Sequence, residues 1–138
     1  MIVLDTNVIS ETMRSEPDAN VMRWLNAQHL DALWLTAITV TELRFGAARL
    51  VEGKRRSALA ERIETAVTGM FKGRIADFGI EAAGLLAERA ANAEARGERV
   101  GFADAAIAAI ALTKGFAVAT RDTRPFQNMG VDVINPWS

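Results

Sequence analysis

The chain has 138 residues, of which 50% are hydrophobic and 24% charged, so we expect one soluble domain over residues 1–138. The absence of cysteine excludes disulfides, thiolate zinc sites and a cysteine nucleophile, and the single histidine, His29, excludes multi-histidine metal sites. The net charge of −1 gives no overall attraction to nucleic acid, and no apolar stretch reaches the ~18–20 residues of a membrane span, so the expected location is the cytoplasm.

The N-terminal segment predicts a buried strand followed by two helices. Residues 2–5 are apolar until Asp5 and lead into Asp-Thr-Asn, a pattern typical of a short strand that ends at a helix. That helix is predicted over 7–14, with Thr6 or Asn7 as its cap. A second helix is predicted to begin at Pro17 and to run to about Gln28.

The middle of the chain predicts a second strand and two further helices. The strand covers residues 31–36, and Thr39 or Thr41 is the expected cap of a helix that runs to Gly53. The basic turn 54–56 should lead into a helix with Leu59, Ile63, Val67 and Met70 on one face.

The C-terminal half predicts a regular alternation of helices and strands. Helices are expected over 80–96 and, in an alanine-rich segment ended by Gly115, over 103–114. The remaining segments are a strand or loop at 74–78, strands at 116–120 and 131–134, and a turn or short helix at 122–128. Short apolar strands that alternate with helices predict an α/β fold, in which helices cover both faces of a mainly parallel sheet of four to five strands.

Four carboxylates lie beside apolar segments, where an uncompensated charge would be costly. They are Asp5, Glu42, Asp104 and Asp122. Asp5 and Asp122 follow strands, and Glu42 and Asp104 are expected in the first turns of helices. In a parallel sheet, strand C-termini and helix N-termini meet at one edge, so the four side chains are predicted to converge there.

An oxygen-only cluster is typical of a site for Mg²⁺ or Mn²⁺, since softer metals favour thiolate or imidazole ligands. Mg²⁺ usually binds one or two protein carboxylates together with water and substrate phosphates. Such a site lowers the pKa of bound water and neutralises phosphate charge. The residues therefore predict hydrolysis of a phosphodiester.

Each carboxylate also has a purely structural interpretation. Asp5 could form a turn or cap a helix, and Glu42 could complete a capping box with Thr39. Asp104 could be a first-turn charge on its helix, and Asp122 could initiate a turn. A metal site is the simpler interpretation only when the four are taken together.

Four segments, in this order, resemble the acidic motifs of PIN-domain proteins, with the VapC and FitB-like toxins as the most similar group. They are Met1–Glu11 with Asp-Thr-Asn, Ile38–Gly46, Gly101–Ala109 and Ala119–Phe126. The ending Asn135-Pro136-Trp137 is also similar, so the resemblance covers nearly the whole chain. It implies a PIN-like three-layer α/β/α fold and a Mg²⁺-dependent ribonuclease, with Mn²⁺ as an alternative metal.

The resemblance also implies roles for individual residues. The acidic quartet would be Asp5, Glu42, Asp104 and Asp122. Asp5 and Asp104 would be the direct metal ligands, with Thr6 and Thr120 as supporting hydroxyls. Some relatives carry a further acid where this chain has Pro125, so Asp122 is the only acid of its segment.

In the mechanism that the family implies, metal-activated water attacks an RNA phosphodiester while basic residues hold the RNA backbone. The candidates nearest the acidic segments are Arg44, Arg121 and Arg124. The run Lys54-Arg55-Arg56 is the densest in positive charge, and it could contact RNA or form a solvated turn.

The partners implied are a cognate antitoxin, which binds a groove and itself contacts operator DNA, and a second copy of the chain in a homodimer. Phe45, Leu50 and Met70 could form the dimer surface or could fill the core. Two other functions stay open: a DNA-directed nuclease of the same fold, and a PIN module that binds a cation or a partner without catalysis.

Overall fold

The computed structural model, which describes residues 1–138, contains one sheet of five parallel strands. The strands are β1 (Ile2–Leu4), β2 (Leu33–Thr36), β3 (Ile75–Ala76), β4 (Ala117–Ala119) and β5 (Val133–Ile134). Their order in the sheet is β3-β2-β1-β4-β5, and every neighbouring pair is parallel. The predicted α/β fold with a short parallel sheet is therefore confirmed, and the segment at 74–78 supplies the fifth strand.

Seven α-helices cover the two faces of the sheet. They are α1 (Thr6–Thr12), α2 (Ala19–Asn26), α3 (Ala37–Ala48), α4 (Lys54–Thr65), α5 (Ile80–Ala95), α6 (Phe102–Lys114) and α7 (Thr123–Asn128). A 3₁₀ turn over Leu30–Ala32 precedes β2, and a π-helical turn over Ala66–Met70 follows α4. None of these helices combines the length and the apolar character that a membrane crossing requires.

Neighbouring residues of β1 face two different cores. Leu4 packs with side chains of α1 to α4, whereas Val3 packs with α6 and α7. This follows from strand geometry, in which successive side chains point to opposite faces of the sheet. Both residues are completely buried, so β1 forms the centre of a three-layer α/β/α structure.

The alanine-rich helix α6 is buried along most of its length, from Ala105 to Ala111. Small side chains allow it to pack closely against the sheet and against α5. The helix ends as predicted at Gly115, whose φ of 70° is left-handed and favours glycine. The rigid placement of α6 fixes the position of Asp104 in its first turn.

The strand order reverses direction between β1 and β4, which creates a crevice at the carboxyl ends of these two strands. Leu4 is paired with Ala119, and the Asp5 N–H donates to the Ala119 carbonyl at 2.9 Å. Asp5 and Thr120 therefore leave the sheet side by side at the reversal point.

Two predicted helix starts differ from the structure. Asp5 itself caps α1 by accepting from the Thr6 N–H, so the expectation that Thr6 or Asn7 would do so is wrong. The second helix begins after Asp18, which caps it, and not at Pro17. In both places the carboxylate nearest the free N–H groups takes the cap, because ionised oxygens accept such bonds strongly.

The predicted boundaries around the third and fourth helices also change. Helix α3 ends at Ala48, before Gly53, and Lys54 begins α4, so the basic run is a first helical turn. The π-helical turn shifts the side chains beyond α4 around the helix axis. As a result Ile63 is buried while Met70 is 52% exposed, although both were predicted to lie on one face.

Candidate active site

Asp5 is the most buried of the four carboxylates, with only 5% of its surface exposed. Its Oδ1 accepts from the Thr6 N–H at 2.8 Å, and its Oδ2 accepts from the Thr120 hydroxyl at 2.8 Å. Burial raises the pKa of Asp5, and the charges of Glu42 and Asp122 raise it further, while the two hydrogen bonds act in the opposite direction. The two donors therefore offset part of the cost of placing the Asp5 carboxylate in a buried position.

Asp104 is the third residue of α6 and is half-buried. Burial is the largest cause that raises the pKa of Asp104, to about 6, followed by repulsion from Asp5, Asp122 and Glu42. Asp104 thus lies within electrostatic reach of all three other acids. The structure brings the four carboxylates together at one end of the sheet, although they are far apart in sequence.

Glu42 is an exposed residue of α3 and the sixth residue of that helix, which starts at Ala37, so the expected first-turn position is wrong. Thr36 caps this helix by accepting from the Thr39 N–H at 3.1 Å, whereas Thr39 or Thr41 was expected. A capping box between Thr39 and Glu42 therefore does not form, because Thr39 already lies inside the helix. The structural alternative for Glu42 is removed.

A chain of threonine hydroxyls leads to Glu42. The Thr6 hydroxyl donates to Oε1 of Glu42 at 2.6 Å. The hydroxyl oxygens of Thr6 and Thr39 are 3.3 Å apart, and those of Thr39 and Thr36 are 3.4 Å apart. A hydroxyl has one proton, so the bond to Glu42 leaves Thr6 as the acceptor of the Thr39 proton. This arrangement fixes one oxygen of Glu42 and leaves Oε2 free.

Asp122 is an exposed residue directly before α7, and its side chain makes no capping hydrogen bond. Its N–H donates to the Thr120 hydroxyl oxygen at 3.1 Å, so Thr120 contacts both Asp5 and the backbone of Asp122. Sequence reasoning missed Asn7, which also contacts Asp5 and Thr120. Its position inside the Asp-Thr-Asn motif was the available signal.

The three candidate RNA-binding arginines occupy different environments. Arg44 forms a two-pronged ion pair with Glu64 at 2.8 and 3.0 Å on the exposed surface. The Arg121 guanidinium lies 5.2 Å from the centre of the Trp137 ring. Arg124 is exposed in α7. Arg121 and Arg124 flank Asp122, whereas Arg44 is engaged by an acid of α4.

A groove of about 660 Å³ runs between α1, α3 and α4 and reaches Glu42 at its edge. Apolar side chains such as Leu43, Leu50 and Leu59 line it, together with Arg55 from the basic run. Arg56 instead donates to the Leu50 carbonyl at 3.5 Å. The groove is shaped to accept an apolar chain segment that would reach Glu42.

Two of the three residues proposed for a dimer surface are exposed: Phe45 at 56% and Met70 at 52%. Leu50 is half-buried at the groove, and the alternative that these side chains fill the core does not hold for Phe45 and Met70. His29 is exposed ahead of the 3₁₀ turn and lies outside the carboxylate cluster.

The atoms at this end of the sheet that could bind a metal fit a hard divalent cation, since all of them are carboxylate oxygens. No three acidic or histidine side chains stand close enough together to form a complete ligand set. Mg²⁺ does not need one, because it binds one or two carboxylates and fills its other positions with water and phosphate oxygens. Asp5 and Asp104 are the two least exposed acids of the cluster and repel each other, a repulsion that a cation between them would relieve.

A family model described as PIN domain matches residues 2–131. The chain is 50% identical to VapC ribonuclease Y4jK of Sinorhizobium fredii, a match that covers 99% of this chain and 98% of that protein. It is 44% identical to Toxin FitB of Neisseria gonorrhoeae, over 99% of each chain.

Solved structures show the same similarity. A chain in the structure of FitAB bound to an IR36 DNA fragment superposes with a TM-score of 0.95 and 43% identity, over 100% of this chain and 96% of that one. FitAcB from Neisseria gonorrhoeae gives a TM-score of 0.94 and 44% identity, over 99% of both chains.

Proposed function

Because the chain belongs to the PIN-domain family, we propose that residues 1–138 act as a single-domain, Mg²⁺-dependent endoribonuclease, the toxin of a toxin–antitoxin module. The observation that carries this proposal is the convergence of four carboxylates at the reversal point of the sheet, with Asp5 and Asp104 as its least exposed members. The names VapC ribonuclease and Toxin FitB of full-length relatives support it.

Asp5 and Asp104 would hold the cation, Mg²⁺ or Mn²⁺, through carboxylate oxygens. When bound, such an ion supplies positive charge to phosphate oxygens and lowers the pKa of water. The hydrogen bonds from Thr120 and the Thr6 N–H would favour the ionised form of Asp5 and orient its carboxylate for this purpose. The structural role of these donors is to supply the electrostatic compensation that a buried anion requires.

Glu42 and Asp122 would act on the water and on the scissile phosphate from the exposed side of the cluster. Thr6 occupies Oε1 of Glu42, so Oε2 is the atom that can accept a proton from the attacking water. In the net reaction water adds to phosphorus, one phosphorus–oxygen bond breaks, and the departing oxygen gains a proton. Arg121 and Arg124, next to Asp122, would hold the RNA backbone.

The groove between α1, α3 and α4 supports the proposal of a cognate antitoxin as partner. An apolar segment could pack on Leu43 and Leu59, and a basic side chain at its end could pair with Glu42. We propose that operator DNA is reached only through this antitoxin, that the protein forms a homodimer in which Phe45 and Met70 are candidate contacts, and that it acts in the cytoplasm.

The test compares the wild-type protein with Asp5→Asn, which removes one charge and retains the shape. Expression of the wild type without its antitoxin should arrest growth of a bacterial host, and Asp5→Asn at equal abundance should not. An equally toxic Asp5→Asn protein would contradict the catalytic proposal.

Purified protein separates the remaining alternatives. We expect cleavage of single-stranded RNA in Mg²⁺, none in EDTA, and recovery after Mg²⁺ is restored. Cleavage that persists in EDTA would contradict metal dependence. Cleavage of DNA in preference to RNA would favour a DNA-directed nuclease, and metal binding without cleavage of either would favour the non-catalytic module.

A further inference from the structure

The side chain of Asn7 connects the end of β1 with the loop that follows β4. Its Nδ2 donates to Oδ2 of Asp5 and to the Thr120 hydroxyl oxygen, each at 3.3 Å. Its Oδ1 accepts from the Arg121 N–H at 3.3 Å. The contacts with Thr120 and Arg121 span 113 and 114 positions of sequence, so the amide joins two segments that only the fold brings together.

Only one orientation of the Asn7 amide satisfies all three contacts. If the amide were flipped, its NH₂ group would face the Arg121 N–H, and its oxygen would face the carboxylate of Asp5. Both of those pairs are repulsive, donor against donor and acceptor against acceptor. Asn7 is therefore a directional bridge.

A count of hydrogen bonds at Asp5 shows what the bridge does. A carboxylate offers about four acceptor positions, two on each oxygen. Oδ2 receives the Thr120 hydroxyl and the Asn7 amide, and Oδ1 receives only the Thr6 N–H. Oδ2 is therefore saturated, and one position stays free, on Oδ1.

We propose that Asn7 is a positioning residue of the nuclease centre. It saturates Oδ2 of Asp5, so that this carboxylate binds a cation through Oδ1 alone, and it ties the segment of Arg121 and Asp122 to the same carboxylate. The cation-binding half of this inference rests on the proposed function, whereas the bridge itself does not.

The test uses Asn7→Ala, with Asn92→Ala as a matched control because Asn92 is an exposed residue of α5 without a side-chain hydrogen bond. Loss of a residue that orients a metal ligand typically weakens metal binding by ~10–100-fold. We expect the Mn²⁺ dissociation constant of Asn7→Ala, measured by titration calorimetry, to rise by about tenfold or more. With RNA as substrate, kcat should fall while KM stays near the wild-type value.

A second variant, Asn7→Asp, separates the two halves of the bridge. It retains an oxygen that can accept from the Arg121 N–H but has no N–H to donate to Asp5. Exchange of the Arg121 amide hydrogen in metal-free protein should accelerate in Asn7→Ala and stay near wild type in Asn7→Asp. Turnover should fall in both variants.

Each outcome bears on a stated part of the inference. Wild-type Mn²⁺ affinity and kcat in a folded Asn7→Ala protein would overturn it, as would wild-type kcat in Asn7→Asp. Unchanged Arg121 exchange in Asn7→Ala would show that the bridge is not formed. If the wild-type protein itself neither binds Mn²⁺ nor cleaves RNA, the proposed function fails, and the exchange measurement still decides the bridge.

Discussion

Thr120 donates a hydrogen bond of 2.8 Å to Oδ2 of Asp5, although the two residues are 115 positions apart in sequence. The bond exists because β1 and β4 are neighbours and their pairing places Asp5 beside Thr120. Thr120 is completely buried, so its hydroxyl is a donor that water cannot replace without rearrangement. It links the most buried acid of the cluster to the segment that carries Asp122.

Thr120→Val should impair the site more than the fold. The valine keeps the shape but removes the donor that lowers the pKa of Asp5, so the ionised form of Asp5 is disfavoured. We expect Mn²⁺ affinity and RNA cleavage to fall by roughly 10–100-fold. The free energy of unfolding should fall by about 1–2 kcal/mol through the lost hydrogen bond.

Two variants control this experiment. Thr120→Ser retains the hydroxyl and should keep most of the affinity. Thr113→Val removes a hydroxyl that bonds only to the Ile110 carbonyl near the end of α6, and it should leave metal binding unchanged. Equal behaviour of the serine and valine variants would contradict a role for the hydroxyl.

Asp104→Asn should stabilise the metal-free protein while abolishing its activity. The folded pKa of Asp104 is about 6, above its usual 3.8, so the folded state resists ionisation. The resulting loss of stability is absent below pH ~4, grows as the pH rises, and is complete above pH ~6. Asp104 is half-exposed and screened by solvent, so we expect only about 1 kcal/mol, or ~4 °C in Tm, near neutral pH.

Thermal unfolding in EDTA measures the difference between the two proteins. The Tm of Asp104→Asn should exceed that of the wild type near neutral pH, and the difference should vanish under acid conditions. Saturating Mg²⁺ should raise the Tm of the wild type more than that of the variant, since only the wild type has both predicted ligands. A variant that is less stable at every pH would show that Asp104 supports the fold.

The sequence predicts the strands well because their signals are local. Residues 2–5 and 116–120 are short, apolar and bounded by polar or glycine residues, and alternation with helices indicates a parallel sheet. Asp5 and Asp122 are predictable for the same reason, since they follow two of these strands, whereas Glu42 and Asp104 lie in the helices α3 and α6 and are predictable as charges beside apolar helical segments. Their convergence then follows from a general rule of parallel sheets.

The helix caps and the hydrogen bonds between site residues were harder to predict. Thr36, Thr39 and Thr41 all suit a helix start locally, and the choice of Thr36 depends on where β2 ends, which its pairing with β3 sets. The contacts of Asn7 with Thr120 and Arg121 depend on the adjacency of β1 and β4. Local sequence patterns carry no information on contacts between residues so far apart in sequence.

Metal binding should depend on pH through Asp104. A proton and a cation compete for its carboxylate, whose pKa of about 6 lies close to neutrality. Mn²⁺ affinity should rise with pH up to about 6 and level off above it, with about a tenfold loss for each pH unit below. Because the pKa of Asp5 is also raised, its protonation can only make the loss of Mn²⁺ affinity at acid pH steeper.

Titration calorimetry of Mn²⁺ binding between acid and neutral pH tests this dependence. The wild type should release protons as it binds the metal below neutrality. Asp132→Asn is a suitable control, because it removes an exposed carboxylate outside the cluster and should leave the profile unchanged. A Mn²⁺ affinity that is constant across this range would contradict ionisation of Asp104 as a condition of binding.

Arg124→Ala and Arg44→Ala remove the same charge from two different environments. Arg124 is exposed in the short helix that follows Asp122, whereas the guanidinium of Arg44 is already occupied by Glu64 at 2.8 Å. We therefore expect Arg124→Ala to raise the RNA dissociation constant several-fold and to reduce the salt dependence of binding by about one charge. Arg44→Ala should change both quantities less, since its positive charge is largely neutralised before RNA arrives.

Fluorescence anisotropy gives both quantities without cleavage when each arginine variant is made in the inactive Asp5→Asn protein and mixed with labelled RNA at several salt concentrations. If Arg44→Ala weakens binding as much as Arg124→Ala, the RNA path crosses α3, and the ion pair with Glu64 opens when RNA binds.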